Sequence, residues 1–468
     1  MKSRRMGIPS VLSRAAAFVI TLMMTCSAFA GSSATLLLEE PYGRLGFFTA
    51  TGHAAVYLSG VCAQTPLVLR PCAPGETGVV ISRYNGVGKH DWVAIPLIPY
   101  LYAVERPEDI PLFADAKMTA FLRDRYRRKY LEVIAPDVRN GETPAGNWYE
   151  LIGSSYDRTI YGFEIETTRK QDRALIKKLN SSANVSHFHT VSRNCADFAK
   201  DVINFYYPKA LHRSLFADVG ITTPKQMAKT MTKFSVRHPE IQFSRIVIAQ
   251  VPGSMSRSTT AHGVVESFLK SKKYIVPSAV ASPIFAGCVA GVYFTSGAGH
   301  FEPARNANIF VAGREAESPV EREDIKAYQT QLKHYLAGAY PETSAEHVEK
   351  AWARLQSKAR PALDSQGHPI LEMQIGEKFV RVGASPSNIM NGDAPPELVR
   401  QLLEARLGAE LRHPSPHSIA ESEVDRDWNL LQRAASARDA SLTSRSASLD
   451  TNAIHGKEST GLSRAPLP

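Results

Sequence analysis

Two side chains in this sequence, Cys195 and His53, are of the types that make a nucleophile and its base. From Cys195 onward, Ala196, Phe198, Ala199, Val202, Ile203 and Tyr206 recur at helical spacing, and Asp197, Lys200, Asp201 and Asn204 are left for the polar side. Ser192 and Asn194 offer N-cap oxygens and Pro208 stops the helix. Cys195 is therefore expected in a first helical turn, where the helix dipole and free amides favour thiolate. His53 opens the run Gly52 to Ser59, in which His53, Ala55, Tyr57 and Ser59 alternate with Ala54, Val56 and Leu58, the period of a strand. A thiol within reach of an imidazole can attack a carbonyl and pass the resulting thioester to water or another acceptor. Backbone amides at the helix start, including that of Cys195, would bind the oxyanion. The competing reading is a cysteine that only packs.

The other cysteines support the reactive reading. Of five, Cys26 falls in a leader-like segment, and Cys62 and Cys72 flank a Pro/Gly-containing loop and are expected as a disulfide closing a hairpin. Cys288 lies in an apolar segment. Cys195 is then the one unpaired cysteine of a soluble domain.

The elements that must position the pair follow in order. Residues 1–30 carry Lys2, Arg4, Arg5 and Arg14, an uncharged run from Ala15, and Ala28-Phe29-Ala30 before Gly31, the pattern of an export signal. Strands are expected over 36–59, at Pro66–Arg70 and at Gly78–Tyr84, with a buried strand or crossover from Trp92 to Tyr102. Helices are expected over Ala114–Val133, from the capping box at Thr168 to about Asn180, from Cys195, and from the Thr223-Pro224 cap to about Lys233. A strand at Phe243–Gln250 and a short helix at Gly263–Lys270 complete an α+β domain over 31–270, an antiparallel sheet packed on helices. The run Tyr274–Phe301 contains no Asp, Glu, Lys or Arg. Since roughly 20 residues cross a bilayer, a transmembrane helix is expected over 274–299. A small, mostly helical C-terminal region is expected over 302–435, with a hairpin turning at Gly376-Glu377, and a disordered tail over 436–468.

Gly52-His53-Ala54-Ala55-Val56-Tyr57-Leu58 and Asn194-Cys195-Ala196-Asp197-Phe198 resemble the histidine strand and cysteine helix of the circularly permuted papain-like group. That group includes the lecithin–retinol acyltransferase-like enzymes and relatives of the NlpC cell-wall hydrolases. The resemblance covers two short motifs within 31–210, in the permuted order. It implies a permuted papain-like fold with Cys195 as nucleophile and His53 as base. The group often carries a further polar residue on the strand after the histidine. Leu67-Val68-Leu69-Arg70 offers only Arg70 there, with Glu76, Ser82 and Tyr84 further on, so the orienting residue stays unassigned.

Other candidates carry less. His187 and His189 could face a metal together, but no third ligand lies nearby, and no Gly-rich phosphate loop stands in a strand–loop–helix context. No cofactor is expected. Arg123, Arg125, Arg127, Arg128 and Lys129 read as a solvated helix face. The net charge of +10 is not organised into a basic block with interleaved aromatics, which argues against nucleic acid and for an anionic surface. The expectation is an exported, membrane-tethered thiol hydrolase of the bacterial cell envelope, its N-terminal domain periplasmic or extracellular. It would cleave an amide or ester in a cell-wall peptide or a lipid. The alternatives are a thiol-dependent lipid acyltransferase and a catalytically silent envelope scaffold.

Overall fold

The computed structural model describes residues 31–43, 49–138, 141–295, 301–339, 350, 353, 355, 357–412 and 419–455. The export signal expected over 1–30 lies outside them. Strands β1 (Ser32–Glu39), β2 (His53–Leu58), β3 (Val61–Thr65), β4 (Val68–Pro71), β5 (Val79–Ser82) and β6 (Val93–Pro96) come first, followed by helices α1 (Leu97–Tyr102) and α2 (Ala116–Tyr126). Then come β7 (Ile160–Thr167), α3 (Arg169–Ser181), α4 (Cys195–Tyr206), α5 (Pro224–Arg237) and β8 (Ser244–Ile248), then α6 (Val264–Lys270), α7 (Lys272–Ala281) and α8 (Pro283–Thr295). The rest of the chain supplies β9 (Asn308–Ile309), α9 (Arg322–Ala339), β10 (Arg360–Leu363), β11 (Pro369–Ile375), β12 (Lys378–Gly383), α10 (Pro396–Arg412) and α11 (Glu421–His455).

The central sheet runs β6-β5-β2-β1-β7-β8-β9. Its pairs are antiparallel except β8–β9, so the sheet is mixed rather than antiparallel throughout. Alternation along β1 and β2 splits the core. Ala34, Leu36, Leu38, Ala54, Val56 and Leu58 face α3, α4 and α5. Leu37 and Ala55 face the other layer, with Val80, Tyr84 and Tyr100. The hairpin β3–β4 is a separate two-stranded sheet, and Cys62 and Cys72 are joined by a disulfide across it. That departure makes β5, not the 67–70 segment, the strand beside β2.

Further expectations are corrected here. The described part of the expected transmembrane segment, residues 274–295, does not form a spanning helix. Pro283 has no N–H to continue the ladder, and Ser282 leaves helical geometry (φ −153°, ψ 90°), so the run breaks into α7 of 10 residues and α8 of 13. No described helix is long and apolar enough to cross a membrane. The transmembrane tether expected over 274–299 is therefore withdrawn.

The arginine-rich face is corrected in part: Arg123 and Arg127 are buried, whereas Arg128 and Lys129 stay about half exposed. Arg127 is fully buried, donating to Ala135 O (2.8 Å), Asp124 and Asp137. Arg123 is buried on Asp157 and the carbonyls of Ile152 and Gly153.

The C-terminal region mixes a three-stranded sheet, β10-β11-β12, with its helices. Its core is continuous with that of the α1–α2 layer. Backbone bonds join the two, Leu112 N–H donating to Ala384 O (3.0 Å), and Arg406 Nε caps Leu112 O (2.9 Å). The tail expected to be disordered from 436 is helical through His455.

Candidate active site

Cys195 opens α4. Asn194 is its N-cap: the side-chain oxygen accepts from Asp197 N–H (3.0 Å), and Asp197 accepts in return from Asn194 N–H (3.3 Å). Two further donations from Asn194 Nδ2, to Thr190 O and Thr222 O (each 3.0 Å), tie the helix start to both flanking loops. Asp197 is itself held by Thr222 (2.5 Å), Arg213 (2.6 Å) and Lys200 (3.2 Å). Burial pushes its carboxyl upward, but these bonds outweigh it and hold the group below the usual range. Arg83 approaches from the end of β5, paired with Asp91 (2.7 Å), over the Phe198 ring (5.0 Å) and 3.5 Å from Asn194 O. The first turn that carries the thiol is thus locked from three directions.

His53 is the first residue of β2. Gly52 before it has φ +74°, and a Cβ there would stand 2.1 Å from Glu39 O, so only glycine brings β2 in this close to β1. The imidazole Nε2 lies 2.7 Å from Ser82 Oγ on β5, and Ser82 lies 3.2 Å from Ala54 O. The carbonyl can only accept, so the Ser82 hydroxyl donates to it and accepts from Nε2–H. That leaves Nδ1 as the ring's lone-pair nitrogen. The ring also stacks on Tyr84 (centroids 4.4 Å apart). Behind Tyr84 runs a buried chain: its hydroxyl lies 3.3 Å from Tyr100 OH, which donates to Glu39, and Arg158 stands 3.2 Å from the same carboxylate. Burial lowers the affinity of His53 for a proton, and the Arg158 charge lowers it further. His53 is neutral at rest.

The thiol is neutral too. Burial pushes Cys195 up to about 11, against the pull of the backbone amides of Ala54, Ala196 and Cys195, with the Glu39 charge adding to the rise. The thiolate expected from the helix dipole is overturned. A first-turn position is worth about 1 kcal/mol at most at an ordinary surface, and burial of the charged form outweighs it here.

Both groups line one cavity of about 200 Å³ at the end of the sheet. Its other walls include Tyr84, Asn147, Glu150, Phe188, Thr222 and Val264. His53 lies on the Tyr84 side of the sheet, whereas Cys195 packs against the opposite core. What they share is the cavity, and no hydrogen bond joins them among the described residues.

The remaining candidates lie elsewhere. Arg70 and Glu76 pair with each other on the β3–β4 hairpin (2.5 Å). His189 is turned into its own loop, against Ser192 Oγ (3.0 Å). Cys62, Cys72 and Glu76 come together as the one cysteine–carboxylate group among the described residues, but its two sulfurs are spent in the disulfide. Cys288 is free and exposed on α8. The role of Ser82 was signalled only by a hydroxyl at the end of a strand. No protein-family model matches this chain, and no curated protein or solved structure matches it either, so the chemistry of the site is read from its own residues.

Proposed function

We propose that the chain is a cysteine hydrolase of amide or ester bonds, with Cys195 as nucleophile and His53 as base. The observation that carries this reading is the cavity shared by the Cys195 thiol and an imidazole whose Nε2 is held by Ser82. Catalytic hydrogen bonds are often long or absent before substrate binds, so the open pair is a resting form. On attack, the thiol proton passes to His53 Nδ1 as the sulfur bonds to the carbonyl carbon and the C=O electron pair moves to oxygen. The amides at the start of α4 stabilise that oxyanion. Collapse breaks the C–N or C–O bond, and the imidazolium gives its proton to the leaving group. Water, deprotonated by His53, then hydrolyses the thioester and restores the thiol.

Two features favour work in the bacterial cell envelope: the leader-like pattern before Gly31 and the Cys62–Cys72 disulfide. Wall peptides and lipid esters are the substrates at hand there. The test is turnover of isolated muropeptides and of 4-nitrophenyl butyrate by the full chain, with mass spectrometry of Cys195. Loss of turnover in Cys195→Ala and His53→Gln, with an acyl adduct on Cys195 in the wild type, is expected. Unchanged turnover in Cys195→Ala, or no adduct with either substrate, overturns the reading.

A further inference from the structure

A larger cavity, of about 620 Å³, lies where the C-terminal region meets the β8 end of the sheet, and it shares no lining residue with the cysteine site. Pockets of this size hold a small organic molecule. Its apolar walls come from Tyr102, Ile110, Leu112, Val251, Phe310 and Ile419. Four arginines line it, and three are already spoken for. Arg406 is bound to Asp427, Glu410 (3.3 Å) and the Leu112 carbonyl, Arg426 stands 3.8 Å from Glu423, and Arg314 stands 3.6 Å from Glu317.

Arg257 is different. Its guanidinium donates to the carbonyl of Gln250 (3.0 Å) and has no carboxylate within ion-pair distance among the described residues. That carbonyl takes only part of a fork of five N–H donors, and the opposing charge of Glu410 acts on Arg257 only from beyond ion-pair distance.

We propose that this cavity binds a small molecule with an apolar body and a single carboxylate, the carboxylate seated on Arg257. A guanidinium fork matches a carboxylate with two parallel hydrogen bonds, which the N–H groups of Arg257 not given to Gln250 can supply. A polyanion such as a phosphate ester fits poorly, because Glu108, Glu410 and Glu423 stand on the same walls. The proposal is independent of the cysteine chemistry.

The test is calorimetric titration of the full chain with decanoate and with 4-phenylbutyrate, and with decan-1-ol as the uncharged control. Saturable binding of at least one acid at one site per chain is expected, at least tenfold tighter than the alcohol. Arg257→Met should weaken the acid at least tenfold and leave the alcohol unaffected. Arg257→Lys, which keeps the charge but not the fork, should restore part of the loss, and Cys195→Ala should bind as the wild type does. Failure of both acids to saturate, or equal binding of acid and alcohol by the wild type, overturns the proposal whatever the variants do. So does unchanged acid binding in a folded Arg257→Met.

Discussion

The imidazole of His53 is 2.7 Å from the hydroxyl of Ser82, and that hydroxyl is committed as a donor to the Ala54 carbonyl. The bond therefore selects the tautomer protonated at Nε2 and leaves Nδ1 to accept a proton. Ser82→Ala removes the selector without touching the thiol. We expect kcat/KM to fall about 10- to 100-fold in Ser82→Ala, the range for loss of one orienting group around a general base. Ser82→Thr, which keeps the hydroxyl, should retain most activity. Nitrogen chemical shifts of His53 check the cause: the alanine variant should show a mixture of tautomers where the wild type shows one. A single unchanged tautomer in Ser82→Ala would remove Ser82 from the mechanism.

Alkylation of Cys195 should show no reactive thiolate near neutral pH. With the thiol pushed up to about 11, the rate with iodoacetamide should climb with pH through the alkaline range and level off only near that value. At pH 7 the thiolate is about one part in ten thousand, which is why the mechanism needs His53 to take the proton during attack. A plateau reached by pH 6 would mean a thiolate–imidazolium pair and contradict the neutral resting state.

The same burial links His53 to stability. Folded His53 resists protonation, whereas in the unfolded chain it titrates near the ordinary histidine value of about 6.5. Below that pH the unfolded state binds a proton that the folded state does not. The contribution is present above about 6.5 and is lost as pH falls toward the depressed folded value. His53→Gln should therefore flatten the decline in denaturation midpoint between pH 7 and pH 5. An equal decline in variant and wild type would show that other groups dominate there.

Much of this arrangement was legible because it is local. The alternation from His53 to Leu58 and the apolar spacing from Ala196 to Tyr206 are properties of single segments, and so is the Asn194 cap. Ser82 was in view with Glu76 and Tyr84, but which of them meets His53 was not legible, because that partner is set by strand order. The hairpin closed by Cys62–Cys72 leaves the central sheet, so the strand beside β2 comes from further along the chain than proximity suggests. The uncharged run after Lys273 misled for a related reason: absence of charge is necessary for a spanning helix, but Pro283 decides where the ladder of hydrogen bonds stops. The state of the thiol was misjudged because a helix terminus can be read from sequence, whereas the depth at which it is buried cannot.

Arg127 follows the same logic and gives the sharpest test of it. A run of arginines reads as a wet surface, yet this guanidinium is fully buried, sits 5.4 Å from the Trp148 ring and binds Asp124, Asp137 and the Ala135 carbonyl. It pins the end of α2 to the 135–137 turn. Arg127→Ala opens a cavity and strands the Ala135 carbonyl, while its two carboxylates, each about a third exposed, recover water. A loss of about 3 kcal/mol in unfolding free energy is expected, at the lower end for a broken buried pair. Arg125→Ala, whose guanidinium reaches Glu105 only at 3.5 Å, should cost about 0.5 kcal/mol or less. Chemical denaturation of the two variants side by side checks the contrast. Equal small losses would mean that Arg127 is solvated after all.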